Sequence, residues 1–156
     1  HAADYARYRP AYPDKLFEYL AGLTPARDLA WDCATGSGQA AHALANYFDQ
    51  VIATDASTRQ IENALPHPAI DYRVEPAEAT SIESNSLDLI TVAQALHWFD
   101  LDAFHEEVRR VCRAGALLAV CSYGLFRIAP AIDEVVRYFD SAPDTAFSDD
   151  QAQTGN

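Results

Sequence analysis

Apolar positions along the chain follow two different periodicities. Short, nearly continuous apolar runs predict buried strands, and stretches in which apolar residues recur every three or four positions predict helices. The two kinds of segment alternate along the sequence, which is typical of βαβ units around a mostly parallel sheet. The predicted strands are 29–33, 51–54, 70–74, 87–93 and 116–121, and the predicted helices are 13–21, 40–48, 57–65, 104–111 and 132–139.

A capping signal refines one of these helices. Ser57 is followed three residues later by Gln60, which fits a capping box in which each residue satisfies a backbone N–H of the other. A helix is therefore expected to begin at this point. Its apolar spacing predicts that Ile61, Ala64 and Leu65 face the core.

Polar stretches follow three of the predicted strands, at 32–39, 55–57 and 94–100. In open α/β sheets, ligands bind beyond the carboxyl ends of the strands, where the strand order reverses. Asp55 ends the second strand, and the two oxygens of its carboxylate suit the two hydroxyls of a ribose. The alternative is that Asp55 only caps the next helix, beside Ser57.

Glycines stand in the turn after the first strand, where a backbone without a Cβ atom can approach a ligand closely. Read as G-x-G-x-x-A, Gly36, Gly38 and Ala41 match the dinucleotide fingerprint, with Asp55 at a suitable distance onward. These residues alone do not decide which nucleotide cofactor is bound. A nicotinamide-dependent oxidoreductase is one reading of them.

Composition limits the number of domains and the partners. The 156 residues are 49% hydrophobic, so we expect one domain over 1–140 and a loose polar tail over 141–156. With 11 basic and 23 acidic residues the net charge is -12, which disfavours a nucleic-acid partner. The cysteines and histidines lack metal-ligand spacing, so no metal is expected. No apolar run could span a bilayer and no signal peptide is recognised, which favours a cytoplasmic protein without a membrane partner.

The order of the motifs carries a family resemblance. The succession YRPAYP, DCATGSGQ, ATDAS, RVEPAEAT, SLDLITVAQALHWFD and EVRRVCRAGALLAV resembles class I S-adenosylmethionine-dependent methyltransferases. It is most similar to their type 11 branch, which includes trans-aconitate methyltransferase-like proteins. The resemblance implies a Rossmann-like doubly wound α/β sheet with strand order 3-2-1-4-5. It also implies S-adenosylmethionine as cofactor and methyl transfer to a small-molecule acceptor.

The resemblance also implies roles for individual residues. An N-terminal segment would fold over the site, and the residues after the fourth strand would line the passage to the acceptor. If a base is needed, His97 is the candidate, since histidine is the side chain suited to exchanging a proton near neutral pH. The alternative is a structural histidine, or one that only shapes the pocket with Trp98. The implied cofactor-binding residues are Asp32, Ala34, Gly36, Gly38, Asp55, Ala56, Ala77, Glu78 and Gln94, and the implied acceptor pocket consists of Tyr8, Arg9, His97 and Trp98.

Two departures from the family pattern carry expectations of their own. Ala34 stands where the family has glycine, and a positive φ there would cost about 1 kcal/mol. The final strands of the family are expected to be missing, which leaves strand 116–121 at an edge. Such an apolar edge favours pairing with a second copy, so a homodimer is expected unless other residues cover it. A non-catalytic cofactor-binding protein is the remaining alternative to an enzyme.

Overall fold

The computed structural model describes residues 12–122. In this range five parallel strands form one sheet in the order β3-β2-β1-β4-β5. This confirms the predicted doubly wound α/β fold and its strand order. The elements are α1 (Asp14–Leu23), β1 (Leu29–Cys33), α2 (Gln39–Leu44), β2 (Gln50–Asp55), α3 (Thr58–Glu62), β3 (Ile70–Val74), β4 (Leu87–Ala93), a 3-10 turn (Leu96–Trp98), α4 (Leu101–Val111) and β5 (Cys112–Cys121).

Helices cover both faces of the sheet, which explains why the central strands are continuous apolar runs. On one face, α1 and α2 contribute Phe17, Leu20 and Leu44 to a core with the small residues of β1 and β2. On the other face, Trp31 and Phe104 pack together with a ring separation of 6.3 Å. Because the core fills both faces, the polar residues inside the central strands, such as Thr91, are buried, and exposed polar stretches begin where the strands end.

The helix predicted from Ser57 is shorter than its periodicity indicated. Ser57 caps α3 as expected, since its Oγ accepts a hydrogen bond from the Gln60 N–H at 3.4 Å. The helix ends at Glu62, after which the N–H groups of Asn63 and Ala64 donate to the carbonyls of Gln60 and Ile61 in a tighter i→i−3 pattern. The prediction that Leu65 faces the core is wrong, since 69% of its surface is exposed.

Strand β5 begins earlier than predicted, directly after α4. Its pairing with β4 is irregular at first: Leu87 pairs with Cys112, and Leu89 pairs with Leu117. Gly115 lies in this irregular part with φ +82°, a conformation that glycine adopts without strain. The regular pairing from residue 117 onward corresponds to the strand that the apolar run predicted.

Several expectations fall on residues outside 12–122. These are the helix at 132–139, the N-terminal segment with Tyr8 and Arg9, the domain boundary at residue 140 and the polar tail over 141–156. Among the described residues, no helix has both the length and the apolarity to cross a membrane. Association of the β5 edge with a second copy stays a prediction.

Candidate functional site

A pocket of about 360 Å³ opens at the carboxyl ends of the strands, where β1 lies between β2 and β4 and the strand order reverses. This is the position at which doubly wound sheets bind ligands, and the volume falls in the range of small-molecule sites. Each of β1, β2, β3 and β4 is followed by residues of its wall. These are Ala34, Gly36, Asp55, Ala56, Ser57, Gln60, Glu75, Pro76, Ala77, Glu78, Ala93, Gln94, Ala95, Trp98 and Phe99.

The glycine turn, residues 34–38, forms the wall next to β1. The backbone reverses through positive φ angles at Ala34 (56°), Gly36 (59°) and Gly38 (89°). Two backbone hydrogen bonds hold it, from Thr35 N to Thr54 O at 2.8 Å and from Gly38 N to Thr35 O at 3.0 Å. Ala34 thus has the positive φ at which a methyl group is costly.

Replacing Ala34 with glycine is expected to raise the free energy of unfolding by about 0.5 to 1 kcal/mol. The gain is the relief of left-handed strain, reduced by the larger backbone entropy of glycine in the unfolded chain. Urea denaturation measures it. Ala43→Gly in α2 is the control, since glycine there loses both helix propensity and the packing of the Ala43 methyl against the core, and should destabilise. An Ala34→Gly variant no more stable than the parent would contradict the strain at this position.

Asp55 joins the glycine turn to the start of α3. Its Oδ2 accepts from Gly36 N and its Oδ1 accepts from Ser57 N, both at 2.9 Å. Asp55 therefore binds the N–H of Ser57 at the start of α3, as the capping alternative holds. It also binds the glycine turn, which helix capping alone does not explain. A carboxylate has about four acceptor positions, so each Asp55 oxygen keeps capacity for one more donor. That remaining capacity faces a partly open pocket.

Asp32 lies beneath the glycine turn and not on the pocket wall. Its side chain is buried and accepts hydrogen bonds from the hydroxyls of Thr35 and Thr91. Burial raises the pKa of Asp32 to about 6, and the two hydroxyl hydrogen bonds oppose that increase. Gly38 also lies outside the wall. The structure therefore gives both residues a position from which they shape the turn, while their direct contact with a ligand stays a prediction.

The wall after β3 includes Ala77 and Glu78, as the family resemblance implied. Glu78 Oε1 accepts from the backbone N–H of Asp100 at 2.9 Å, and Asp100 in turn caps α4. One carboxylate oxygen of Glu78 is thus committed to the protein. Contact between Glu78 and the adenine edge, which the resemblance implies, stays a prediction.

A buried carboxylate behind this wall escaped the sequence analysis. Glu107 of α4 accepts from both the N–H and the hydroxyl of Thr80, at 2.8 and 2.6 Å, and from the guanidinium of Arg110. Arg110 also donates to the carbonyls of Thr80 and Ile82. Hydrogen bonds from Arg110 and Thr80 lower the pKa of Glu107 to about 2. These contacts hold the segment after β3 against α4.

The wall after β4 begins with a second strained residue. Gln94 has φ +60° and lines the pocket, and its N–H donates to Cys121 O at 2.7 Å. Trp98 forms the rim with 80% of its surface exposed. The neighbouring His97 is exposed, its ring 4.8 Å from that of Trp98, and it is not part of the wall. A catalytic role for His97 stays a prediction.

Metal ligation has no support in the part of the chain from 12 to 122. No group of three or more histidine, cysteine, aspartate or glutamate side chains could hold a metal ion there. The cysteines in this range are free thiols, and burial raises the pKa of Cys33, Cys112 and Cys121. They are poor nucleophiles for that reason.

Comparisons with known proteins agree on one family. The family described as a methyltransferase domain matches residues 31–120. A Dictyostelium discoideum protein named as a methyltransferase is 40% identical over 94% of this chain and 60% of its own length. A Saccharomyces cerevisiae protein named as an S-adenosylmethionine-dependent methyltransferase is 28% identical over 78% of this chain and 45% of its own.

A solved structure supports the same assignment. It is titled as a type II methyltransferase from Anaeromyxobacter dehalogenans, is 48% identical, covers 85% of this chain and 56% of its own, and superposes with a TM-score of 0.73. The chain spans about half to 60% of the length of the curated relatives it matches. The family match includes residues 31–33 of β1, the glycine turn, Asp55 and every residue of the pocket wall. The chain therefore belongs to the methyltransferase domain family.

Proposed function

We propose that this protein binds S-adenosylmethionine in the pocket at the strand ends and takes part in transfer of its methyl group to a small-molecule acceptor. The observation that carries the proposal is the position of Asp55. Its carboxylate lies between the glycine turn and the start of α3, with acceptor capacity left on both oxygens. The two hydroxyls of a ribose diol could each donate a hydrogen bond to one of these two oxygens.

The remaining wall fits the other parts of such a cofactor. Ala56 and Ala77 offer small apolar surfaces for a base, and Glu78 offers an acceptor at its edge. The glycine turn brings backbone close to where the amino-acid portion would lie. The cofactor supplies a methyl group already activated on a sulfonium. The chain then needs mainly to hold the acceptor near that methyl group and to exclude water.

The acceptor side of the proposal rests on the residues after β4. Gln94 and Trp98 line the pocket, and His97 adjoins Trp98. An aromatic rim with few charges suits a small organic acceptor. Membership in the trans-aconitate methyltransferase-like branch is part of this proposal, as are contributions from Tyr8 and Arg9.

Replacing Asp55 with alanine is expected to weaken S-adenosylhomocysteine binding by about 2 to 3 kcal/mol, or roughly 30- to 150-fold. The loss comes from the charge-assisted hydrogen bonds to the ribose and from the released Gly36 N–H. Isothermal titration calorimetry measures the dissociation constant. Asp49→Ala is the matched control, because Asp49 is exposed at the opposite end of β2 and should leave binding unchanged.

Three ligands separate the candidate functions in the same calorimeter. Binding of S-adenosylmethionine and S-adenosylhomocysteine without binding of NAD is expected. Binding of NAD alone would favour the oxidoreductase alternative and overturn the proposal. Turnover with candidate acceptors, followed as S-adenosylhomocysteine release, separates an enzyme from a non-catalytic binding protein. A folded Asp55→Ala variant with unchanged affinity would remove Asp55 from the site.

A further inference from the structure

Tyr72 reaches the glycine turn from two strands away. In the register of the sheet, Asp32 pairs with Ala53, and Ala53 pairs with Tyr72. Register partners in a parallel sheet project to the same face, so the three residues form one row across β1, β2 and β3. Alanine in the middle of the row leaves room for the tyrosine ring to cross β2. The end of the ring thereby reaches the region of Asp32 and Gly38.

The Tyr72 hydroxyl occupies the space that a side chain at Gly38 would need. A Cβ atom built on Gly38 would clash with Tyr72 Oη and would lie 3.1 Å from Cε1 and Cζ of the same ring. Gly38 also has φ +89°, which disfavours a side chain on its own account. Two independent constraints therefore favour glycine at position 38: its positive φ, and the space that the Tyr72 ring and hydroxyl occupy.

The Tyr72 hydroxyl is expected to lower the stability of the fold. Tyr72 Oη is buried and has no hydrogen-bond partner among the described residues. Burial, and secondarily the charge of Asp32, raise the pKa of Tyr72, so the hydroxyl is neutral. A buried polar atom without a partner lowers stability, and phenylalanine at this position would avoid that cost. A tyrosine here is better explained by its contact with Gly38 than by the stability of the sheet.

We propose that Tyr72 is a positioning residue for ligand binding, because its hydroxyl packs against Gly38 and sets how close the backbone of the glycine turn lies to the bound ligand. The inference rests on the proposed function, since that ligand is S-adenosylmethionine or S-adenosylhomocysteine. Tyr72 itself is not part of the pocket wall and acts only through Gly38.

Tyr72→Phe tests this role through two properties that move in opposite directions. S-adenosylhomocysteine affinity is expected to fall about 5-fold by calorimetry, because the turn loses its support beside Gly38. Resistance to urea is expected to stay the same or to rise, since an unpaired buried hydroxyl has been removed. Tyr19→Phe is the control: Tyr19 is 41% exposed on α1, and neither property should change. If Tyr72 only stabilised the fold, Tyr72→Phe would lower both the affinity and the resistance to urea, or neither of them.

A double-mutant cycle tests the contact itself. Gly38→Ala is expected to lower affinity at least about 30-fold, and adding Tyr72→Phe is expected to restore about 3-fold or more by removing the clashing oxygen. Gly22→Ala is the control, because a Cβ there meets nothing within 4 Å. If the affinity losses of Gly38→Ala and Tyr72→Phe simply add in the double variant, the proposed contact between the two residues is wrong.

The outcomes separate this inference from the proposed function. A parent protein that binds neither S-adenosylmethionine nor S-adenosylhomocysteine overturns both. A parent that binds S-adenosylhomocysteine while Tyr72→Phe binds it equally well overturns the role of Tyr72 alone. If Gly38→Ala does not fold, Tyr72→Phe still decides, because phenylalanine keeps the ring and introduces neither a clash nor a strained φ angle.

Discussion

Replacing Asp32 with asparagine is expected to raise the free energy of unfolding by about 2 kcal/mol at pH 7. Burial raises the pKa of Asp32 from its ordinary value of 3.8 to about 6. At pH 7 the side chain is ionised in both states, so the folded protein bears the cost of a buried charge. Asparagine keeps the shape without the charge, and the hydroxyls of Thr35 and Thr91 can each donate or accept.

The pH dependence gives this prediction its sign. Between about pH 6 and pH 4 the folded protein takes up the Asp32 proton before the unfolded chain does, so the parent gains stability relative to the variant as pH falls. Below about pH 4 both states are protonated and the advantage of the variant disappears. Urea denaturation across this range measures it, with exposed Asp49→Asn as the control. A variant less stable than the parent at pH 7 would show that ionised Asp32 stabilises the fold.

Replacing Glu107 with glutamine is expected to lower the free energy of unfolding by roughly 2 kcal/mol at neutral pH, a value reduced for the partial exposure of Arg110. Hydrogen bonds from Arg110, and then from Thr80, lower the pKa of Glu107 from 4.5 to about 2. The ionised form thus stabilises the fold above about pH 4.5, and this contribution is lost as pH falls towards 2. The difference between parent and variant should shrink over the same interval.

Helix α4 supplies a matched control for Glu107. Glu106 and Arg109 have the same spacing and a 2.6 Å contact like that of Glu107 and Arg110, but their side chains are 75% and 72% exposed. Glu106→Gln should therefore change the free energy of unfolding by no more than about 0.5 kcal/mol. Equal effects of the two substitutions in thermal or urea denaturation would mean that the contact with Thr80 contributes nothing.

The pocket is held by strained backbone in its wall and by two carboxylates, those of Asp32 and Glu107, that do not line it. Ala34 and Gln94 follow adjacent central strands, and both have positive φ. Strain of this kind persists where the surrounding structure enforces it and is frequent at binding sites. Asp32 lies beneath the glycine turn and Glu107 lies behind the wall after β3. Their substitution is therefore expected to report on how the pocket is held, whereas Asp55 reports on the ligand.

Local signals along the chain were enough to locate the strands and the edge at which the pocket lies. The central strands are mostly apolar because both of their faces are buried, and polar residues within them, such as Asp32 and Thr91, are buried and hydrogen-bonded to each other. Since polar stretches begin where these strands end, the residues after β1, β2 and β4 could be predicted to lie at the pocket. The family's glycine at position 34 raised the question of a positive φ, and the structure shows one. The helix at Ser57 was located but its length was not, because the apolar period continues past Glu62 while the backbone changes there to i→i−3 hydrogen bonds.

The sequence by itself therefore determined the α/β class and the edge at which the pocket opens, since these depend on burial along single strands and on the residues at their ends. The periodicity of α4 also places Glu107 on the same face as Phe104 and Val111, whereas Glu106 lies off that face. Only the tertiary structure decided that Glu107 meets Thr80 and that Tyr72 meets Gly38. The row from Asp32 to Tyr72 exists only once the strands are paired in register, and contacts between residues distant in sequence follow from that pairing.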